Sequence, residues 1–191
     1  MRIVAGNHKG RPLASPKGRD TRPTSDRTRG AVFNILEHGF NGFTLKQAHV
    51  LDVFAGTGAL GLEALSRGAS SATFIERGRE ALKCLDENIA ALKVAEQTQI
   101  LKADATRPPI PRQACSLIFL DPPYGKGLVP LSLAALLAKG WIAPASLCVA
   151  ETGSHENETF PEGFELLDTR VYGAAKITFL KCGVVNEKRR D

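Results

Sequence analysis

Apolar positions fall into short runs along this chain, and their period changes near residue 48. Before that point, residues 2–5 and 11–14 flank Asn7-His8-Lys9-Gly10, a pattern that predicts a short hairpin. A turn-rich stretch follows at 15–24. Thr24 or Ser25 then caps a predicted helix reaching about residue 38, with Val32, Phe33, Ile35 and Leu36 on its apolar side and Gly30 weakening it slightly. Beyond residue 48, compact apolar runs alternate with helical periodicity. Strands are predicted at 49–54, 72–75, 97–101, 116–120, 147–150, 164–172 and 176–182. Helices are predicted at 60–66, at 80–92 with Leu82, Leu85, Ile89 and Leu92 on one face, and around 131–137. Only Gly173-Ala174-Ala175 separates the last two strands, too little for a helical crossover, so they form an antiparallel hairpin.

Repeated strand–helix units imply an α/β fold, a mostly parallel sheet covered by helices on both faces. The closing hairpin makes one edge of that sheet antiparallel. The chain divides into an extension at 1–44, an α/β domain at 45–183 and a frayed tail at 184–191.

Composition narrows the class. A chain of 191 residues, 43% hydrophobic and 24% charged, suits a single globular unit with a real core. No run approaches the roughly 18 apolar residues of a membrane span, and the N-terminus has no apolar leader. A cytoplasmic protein with no membrane partner is expected. Cys84, Cys115, Cys148 and Cys182 are widely spaced and form no C-x-x-C pair, so they read as reduced, mostly buried apolar residues rather than zinc ligands or a disulfide framework. No metal is expected. Charge is uneven. Eight Lys/Arg (Arg2, Lys9, Arg11, Lys17, Arg19, Arg22, Arg27, Arg29) face only Asp20 and Asp26 in the first thirty residues, a surplus larger than the net +5 of the whole chain. A basic arm on a near-neutral body is the footprint of a phosphate-backbone partner; the plainer alternative is a solubilising tail.

Two motifs carry chemistry. Asp52-Val53-Phe54-Ala55-Gly56-Thr57-Gly58-Ala59-Leu60-Gly61 closes the first core strand and opens a helix, and Glu76 ends the next strand. Taken alone this is a dinucleotide fingerprint. Asp52 argues against it, because a carboxylate beside the glycines would repel a pyrophosphate. A cationic, phosphate-free ligand such as S-adenosylmethionine tolerates that acid. Asp104 and Ala105 follow the third strand at the same sheet edge, where the acid either accepts an adenine amine or caps a loop. Asp121-Pro122-Pro123-Tyr124 follows the buried run Leu117-Ile118-Phe119-Leu120. The prolines remove two N–H donors and hold the turn extended. Backbone carbonyls, a carboxylate and a ring then gather where a planar group with an exocyclic amine could dock. A merely proline-stiffened loop is the equal alternative on these four residues.

Together the glycine loop, Glu76, Asp104 and Asp121-Pro122-Pro123-Tyr124 resemble class I S-adenosylmethionine-dependent amino methyltransferases. The N-terminal text, 2–11 followed by Arg22-Pro23-Thr24, Arg27, Arg29 and Phe33-Asn34-Ile35-Leu36, is similar to that of the bacterial 16S rRNA guanine-N2 methyltransferases. The similarity runs from residue 1 to about 182. Gly30 departs from a family pattern that often places an acid there, and Tyr124 stands where some relatives have phenylalanine.

The resemblance implies a Rossmann-like seven-stranded sheet and methyl transfer from S-adenosylmethionine, leaving S-adenosylhomocysteine, to a guanine N2 amine of 16S rRNA. The substrate would be the small ribosomal subunit or its assembly intermediate, and the enzyme a monomer. The resemblance places Asp52, Phe54, Gly56, Gly58, Glu76, Asp104 and Ala105 around the cofactor, with Glu76 on the ribose diol and Asp104 on the adenine amine. It gives the target amine to the Asp121 carboxylate and the Pro122 carbonyl, with Pro123 stiffening the turn and Tyr124 stacking on the flipped base. Arg11, Arg19, Arg22, Arg27 and Arg29 would meet rRNA phosphates, with 22–29 also bordering the cofactor pocket. Adenine-N6 methylation of DNA or RNA is the competing reading. NAD-dependent oxidation and a non-catalytic RNA-binding module are weaker ones.

Overall fold

The computed structural model describes residues 1–16 and 26–183. Seven strands form one sheet: β1 (His49–Val53), β2 (Ser71–Glu76), β3 (Thr98–Lys102), β4 (Cys115–Leu120), β5 (Ile142–Gly153), β6 (Phe164–Tyr172) and β7 (Ala175–Cys182). Their spatial order is β3-β2-β1-β4-β5-β7-β6. The helices are α1 (Asp26–Glu37), α2 (Ala59–Ser66), α3 (Arg79–Leu92) and α4 (Leu128–Ala138). This is the Rossmann-like class I methyltransferase architecture. Among the described residues, no helix is long and apolar enough to cross a membrane.

Handedness decides which face each helix covers. The chain steps from β1 outward to β2 and β3, then restarts at β4 on the other side of β1 and steps the opposite way to β5. Right-handed crossovers therefore put α2 and α3 on one face and α4 on the other. The cores agree. Val50, Phe74, Phe119, Val149 and Phe179 pack with Phe33, Leu62, Leu85 and Ile89 on the first face. Leu51, Ile75, Ile118, Leu120 and Cys148 pack with Val129, Leu133, Leu136 and Trp141 on the second. The reversal between β1 and β4 is the topological switch point, where open α/β sheets bind ligands beyond their strand ends.

The C-terminal hairpin forms as expected, but its place differs. β7 pairs antiparallel with both β5 and β6, so the antiparallel strand lies inside the sheet and β6 forms the edge. Ile177-Thr178-Phe179-Leu180 is buried on both faces, whereas β6 is largely exposed, which is why the mostly apolar run takes the inner position. β5 also runs past the predicted end at residue 150 to Gly153, its last residues held by β7 alone.

The N-terminal arm is part of this core. Its hairpin closes through Ile3 N–H to Arg11 O at 2.9 Å and Leu13 N–H to Met1 O at 3.1 Å. Ile3 and Leu13 are buried in the cluster of the first face, with α1 above them. Glu63 of α2 accepts from Val4 N at 2.7 Å and Ala5 N at 3.0 Å. Residues 1–16 are thus anchored to the sheet's first face through Ile3, Leu13 and the Glu63 bonds, and α1 through Val32, Phe33 and Leu36. The predicted cap at Thr24 or Ser25 and the tail at 184–191 lie outside the described residues.

Candidate active site

Register brings the chemistry together. Val53 pairs with Ile75 in β2 and with Leu120 in β4, and Leu120 pairs with Ala150 in β5. The residues one step further, Glu76, Phe54, Asp121 and Glu151, therefore form a row across four parallel strands. By alternation the three acids continue the face of Phe74, Phe119 and Val149, toward the arm and α1 to α3. Asp52 lies on that same face two residues before Phe54. Four carboxylates thus line the carboxyl edge of the sheet at its switch point.

Asp52 is 2% exposed, and its Oδ2 accepts the Gly61 N–H at 2.8 Å, tying the first turn of α2 to β1. Burial pushes its carboxyl well above the usual range; the Gly61 bond opposes that shift, and the charges of Asp121 and Glu76 add to it. Phe54 then turns sharply with φ +61°, a left-handed conformation that costs a non-glycine residue about 1–2 kcal/mol. The turn aims the glycine loop back across β2. Gly56 N–H donates to Glu76 Oε2 at 2.8 Å, while Glu76 Oε1 accepts from Arg77 N at 2.7 Å and Gly78 N at 2.6 Å. Three backbone donors hold that carboxylate in place.

The two glycines assigned to the cofactor do different work. Gly56 has φ +56°, and a Cβ there would meet only the Phe54 carbonyl at 3.9 Å, so this backbone faces open space. At Gly58 a Cβ would lie 2.4 Å from Leu85 Cδ1 and 3.3 Å from Phe74 Cε1, so that position serves the packing of the loop against α3 and β2. Asn88 of α3 reaches the same loop. Its Nδ2 donates to Thr57 O at 2.9 Å and to Ala14 O at 3.2 Å, and its Oδ1 accepts from Ala14 N at 2.7 Å. The arm and the glycine loop share one buried amide.

Beyond β3, Asp104 Oδ1 accepts from Thr106 N at 2.9 Å and Thr106 Oγ1 at 2.7 Å, and Oδ2 pairs with Arg77 Nη1 at 2.9 Å. The Thr106 bonds, then Arg77 and Arg107, hold its carboxyl below the usual range. Ala105 beside it is buried. After β4, the Asp121 N–H approaches Val53 O at 3.4 Å, Pro122 is buried and Pro123 is exposed. Tyr124 is half-buried, and its hydroxyl donates to Glu151 Oε1 at 2.6 Å. Glu151 escaped the sequence reading; a lone acid after a buried run, the signal that marks Asp52 and Asp121, was its only trace.

Known proteins resemble this chain in sequence and fold. The family model described as "Conserved hypothetical protein 95" matches residues 1–181. "Ribosomal RNA small subunit methyltransferase D" of Escherichia coli (strain K12) is 35% identical over 178 residues, spanning 91% of this chain and 85% of that protein. Its namesake in Haemophilus influenzae is 33% identical over 177 residues, spanning 91% and 89%. The chain belongs to this rRNA methyltransferase family. Among solved structures, the Escherichia coli protein yhhF superposes with a TM-score of 0.82 at 33% identity, covering 96% of this chain and 98% of that one.

For this family member the basic arm needs one correction. Arg29 is fully buried: its Nη2 donates to Asp26 Oδ1 at 2.8 Å and to the Arg2 carbonyl, and its Nε lies 3.5 Å from Glu63 Oε2. It holds the arm to α2 and presents nothing to a phosphate. Arg11 and Arg27 are exposed. Arg19 and Arg22 lie outside the described residues.

Proposed function

We propose that this chain transfers a methyl group from S-adenosylmethionine to the exocyclic N2 amine of a guanine in 16S rRNA. The observation that carries the reading is the placement of Asp121-Pro122-Pro123-Tyr124 beside the glycine loop, in a row of carboxylates at the switch point. That row suits a ligand whose amino group and sulfonium are cationic and would repel a pyrophosphate. Gly56 supplies the open backbone such a ligand needs. Glu76 would hold the ribose diol, since three backbone donors fix its carboxylate and about one of its four acceptor sites is left for a hydroxyl. Asp104 and Ala105 would receive the adenine, Phe54 would border the pocket, and Asp52 would lie beneath the loop close to the amino end of the ligand.

When bound, S-adenosylmethionine would supply an electrophilic methyl: its bond to sulfur would break with the electron pair staying on sulfur as the amine nitrogen forms the new bond, and the amine proton would leave to water or to the Asp121 carboxylate. The chain's own groups orient that amine. Asp121 and the Pro122 carbonyl accept its two hydrogens, turning the nitrogen lone pair outward and favouring the positive charge that develops on it. Pro123 keeps the turn rigid. Tyr124 stacks on the base, its ring fixed by the bond to Glu151. Arg11 and Arg27, with Arg19 and Arg22, would meet RNA phosphates, which position the substrate without reading it. We place the reaction in the cytoplasm, carried out by a monomer on the small ribosomal subunit or its assembly intermediate.

The test is transfer of tritiated methyl to small subunits lacking the modification, with the product nucleoside identified. N2-methylguanosine is expected, and N6-methyladenosine would overturn the base assignment. Asp121→Ala should abolish transfer while calorimetric cofactor affinity stays within roughly a few-fold; an active variant would remove Asp121 from the reaction.

A further inference from the structure

We infer that Glu151 determines the choice of base, accepting a hydrogen bond from N1–H of the target guanine while Asp121 holds the neighbouring N2 amine. The inference rests on the guanine-N2 reading above and names the residue that would enforce it.

Placement comes first. Glu151 follows the Leu120–Ala150 pair on β5 just as Asp121 follows it on β4. Adjacent parallel strands lie about 4.8 Å apart, so the two acids stand side by side on one face. The position exists because β5 continues past Ala150, with Glu151 paired to Ile177 of β7. Glu156 fastens the end of the strand, its Oε1 accepting from Gly153 N at 2.6 Å and its Oε2 from Gly125 N at 3.0 Å. A Cβ on Gly153 would sit 3.4 Å from Tyr124 Cδ2, so backbone packs against that ring. Glu151 is 6% exposed, and burying an acid at the rim of a site is costly without work for it.

The Tyr124 bond connects the acid to the base. The hydroxyl donates to Oε1 at 2.6 Å, so a base stacked on that ring lies next to Glu151. A carboxylate offers about four acceptor lone-pair sites, and the Tyr124 hydroxyl occupies one of them. On its pairing edge guanine presents two adjacent donors, N1–H and the N2 amine. Adenine presents an acceptor at N1. Two acids side by side complement the first edge and confront the second with lone pair against lone pair. The Asp-Pro-Pro-Tyr turn binds an amine of either base; Glu151 supplies the discrimination.

The decisive substrate is an rRNA fragment carrying either guanine or 2-aminopurine at the target position. 2-Aminopurine keeps the 2-amine and has an unprotonated N1; it also lacks O6, so the change in the ratio on mutating Glu151 is the readout specific to the N1–H contact. Wild-type enzyme should prefer guanine in kcat/KM by roughly ten- to a hundred-fold, the usual range when one hydrogen bond to a base is missing. Glu151→Gln, whose amide both donates and accepts, should bring that ratio to within roughly three-fold. Tyr124→Phe keeps the acid, so it should slow both substrates and retain the preference. A Glu151→Gln enzyme that slows both substrates equally and keeps the wild-type ratio would show that the acid only supports the ring, and would overturn the inference. Should that variant fail to fold, the wild-type ratio decides: equal rates on both bases overturn it too. Failure of the underlying reading looks different, because wild-type enzyme would then form no N2-methylguanosine at all.

Discussion

Asp52 shows at the scale of one residue what the site costs the fold. A raised carboxyl pKa means that the native protein binds this proton more tightly than the unfolded chain does. As pH rises from the unfolded value near 3.9 toward the folded one, the unfolded chain releases this proton while the native state keeps it, so this residue's contribution to stability falls with rising pH. Asn keeps an oxygen for the Gly61 N–H and carries no charge. Asp52→Asn should therefore melt above wild type at pH 8 and alongside it at pH 3, at the expense of cofactor affinity. Thermal scans showing the same offset at both pH values would contradict the assignment. Asp104 has the opposite sign: its lowered carboxyl stabilises the fold above the usual carboxylate range and loses that effect as pH falls.

Among elements, α2 binds the arm to the sheet. Glu63, fully buried, accepts from two arm amides, pairs with Arg67 Nε at 2.7 Å and lies 3.5 Å from Arg29 Nε. Arg67 continues outward to Glu37 at 2.8 Å and stacks over Phe33 with its guanidinium 5.0 Å from the ring centre. Glu63→Ala should lower unfolding free energy by about 3–5 kcal/mol in guanidinium titrations, because both guanidiniums lose a buried partner; a loss below about 1 kcal/mol would mean the network is ornamental. This network also marks where the sequence stops being legible. Strand and helix centres follow local periodicity, and Asp52, Glu76 and Asp121 stand at strand ends as their apolar runs predict. Arg29 reads as one more basic residue because Glu63, its buried partner, is distant in sequence. Glu151-Thr152-Gly153 reads as a loop because its strand character comes from β7, not from its own side chains. Non-local partners are the physical reason in each case.

Across the whole molecule, the arm's positive surplus lies on a body close to neutral. With Arg29 buried, the RNA-facing set we propose is Arg11, Arg19, Arg22 and Arg27. Arg11→Glu with Arg27→Glu should weaken binding to small-subunit RNA and flatten its dependence on salt by about one logarithmic unit of slope for each phosphate no longer neutralised. An unchanged slope would mark the arm as a solubilising surface. The position of β7 carries one more consequence, for the order in which the enzyme becomes competent during synthesis. Chains emerge from their N-terminus, so the glycine loop, the aspartate turn and the whole parallel half can assemble while the last strand is still being made. β6 leaves the ribosome earlier than β7 yet has no place in the sheet until β7 arrives between it and β5. The wall bearing Glu151 thus waits for the final stretch of the described chain, and a nascent chain ending before residue 175 should bind cofactor before it can judge a base.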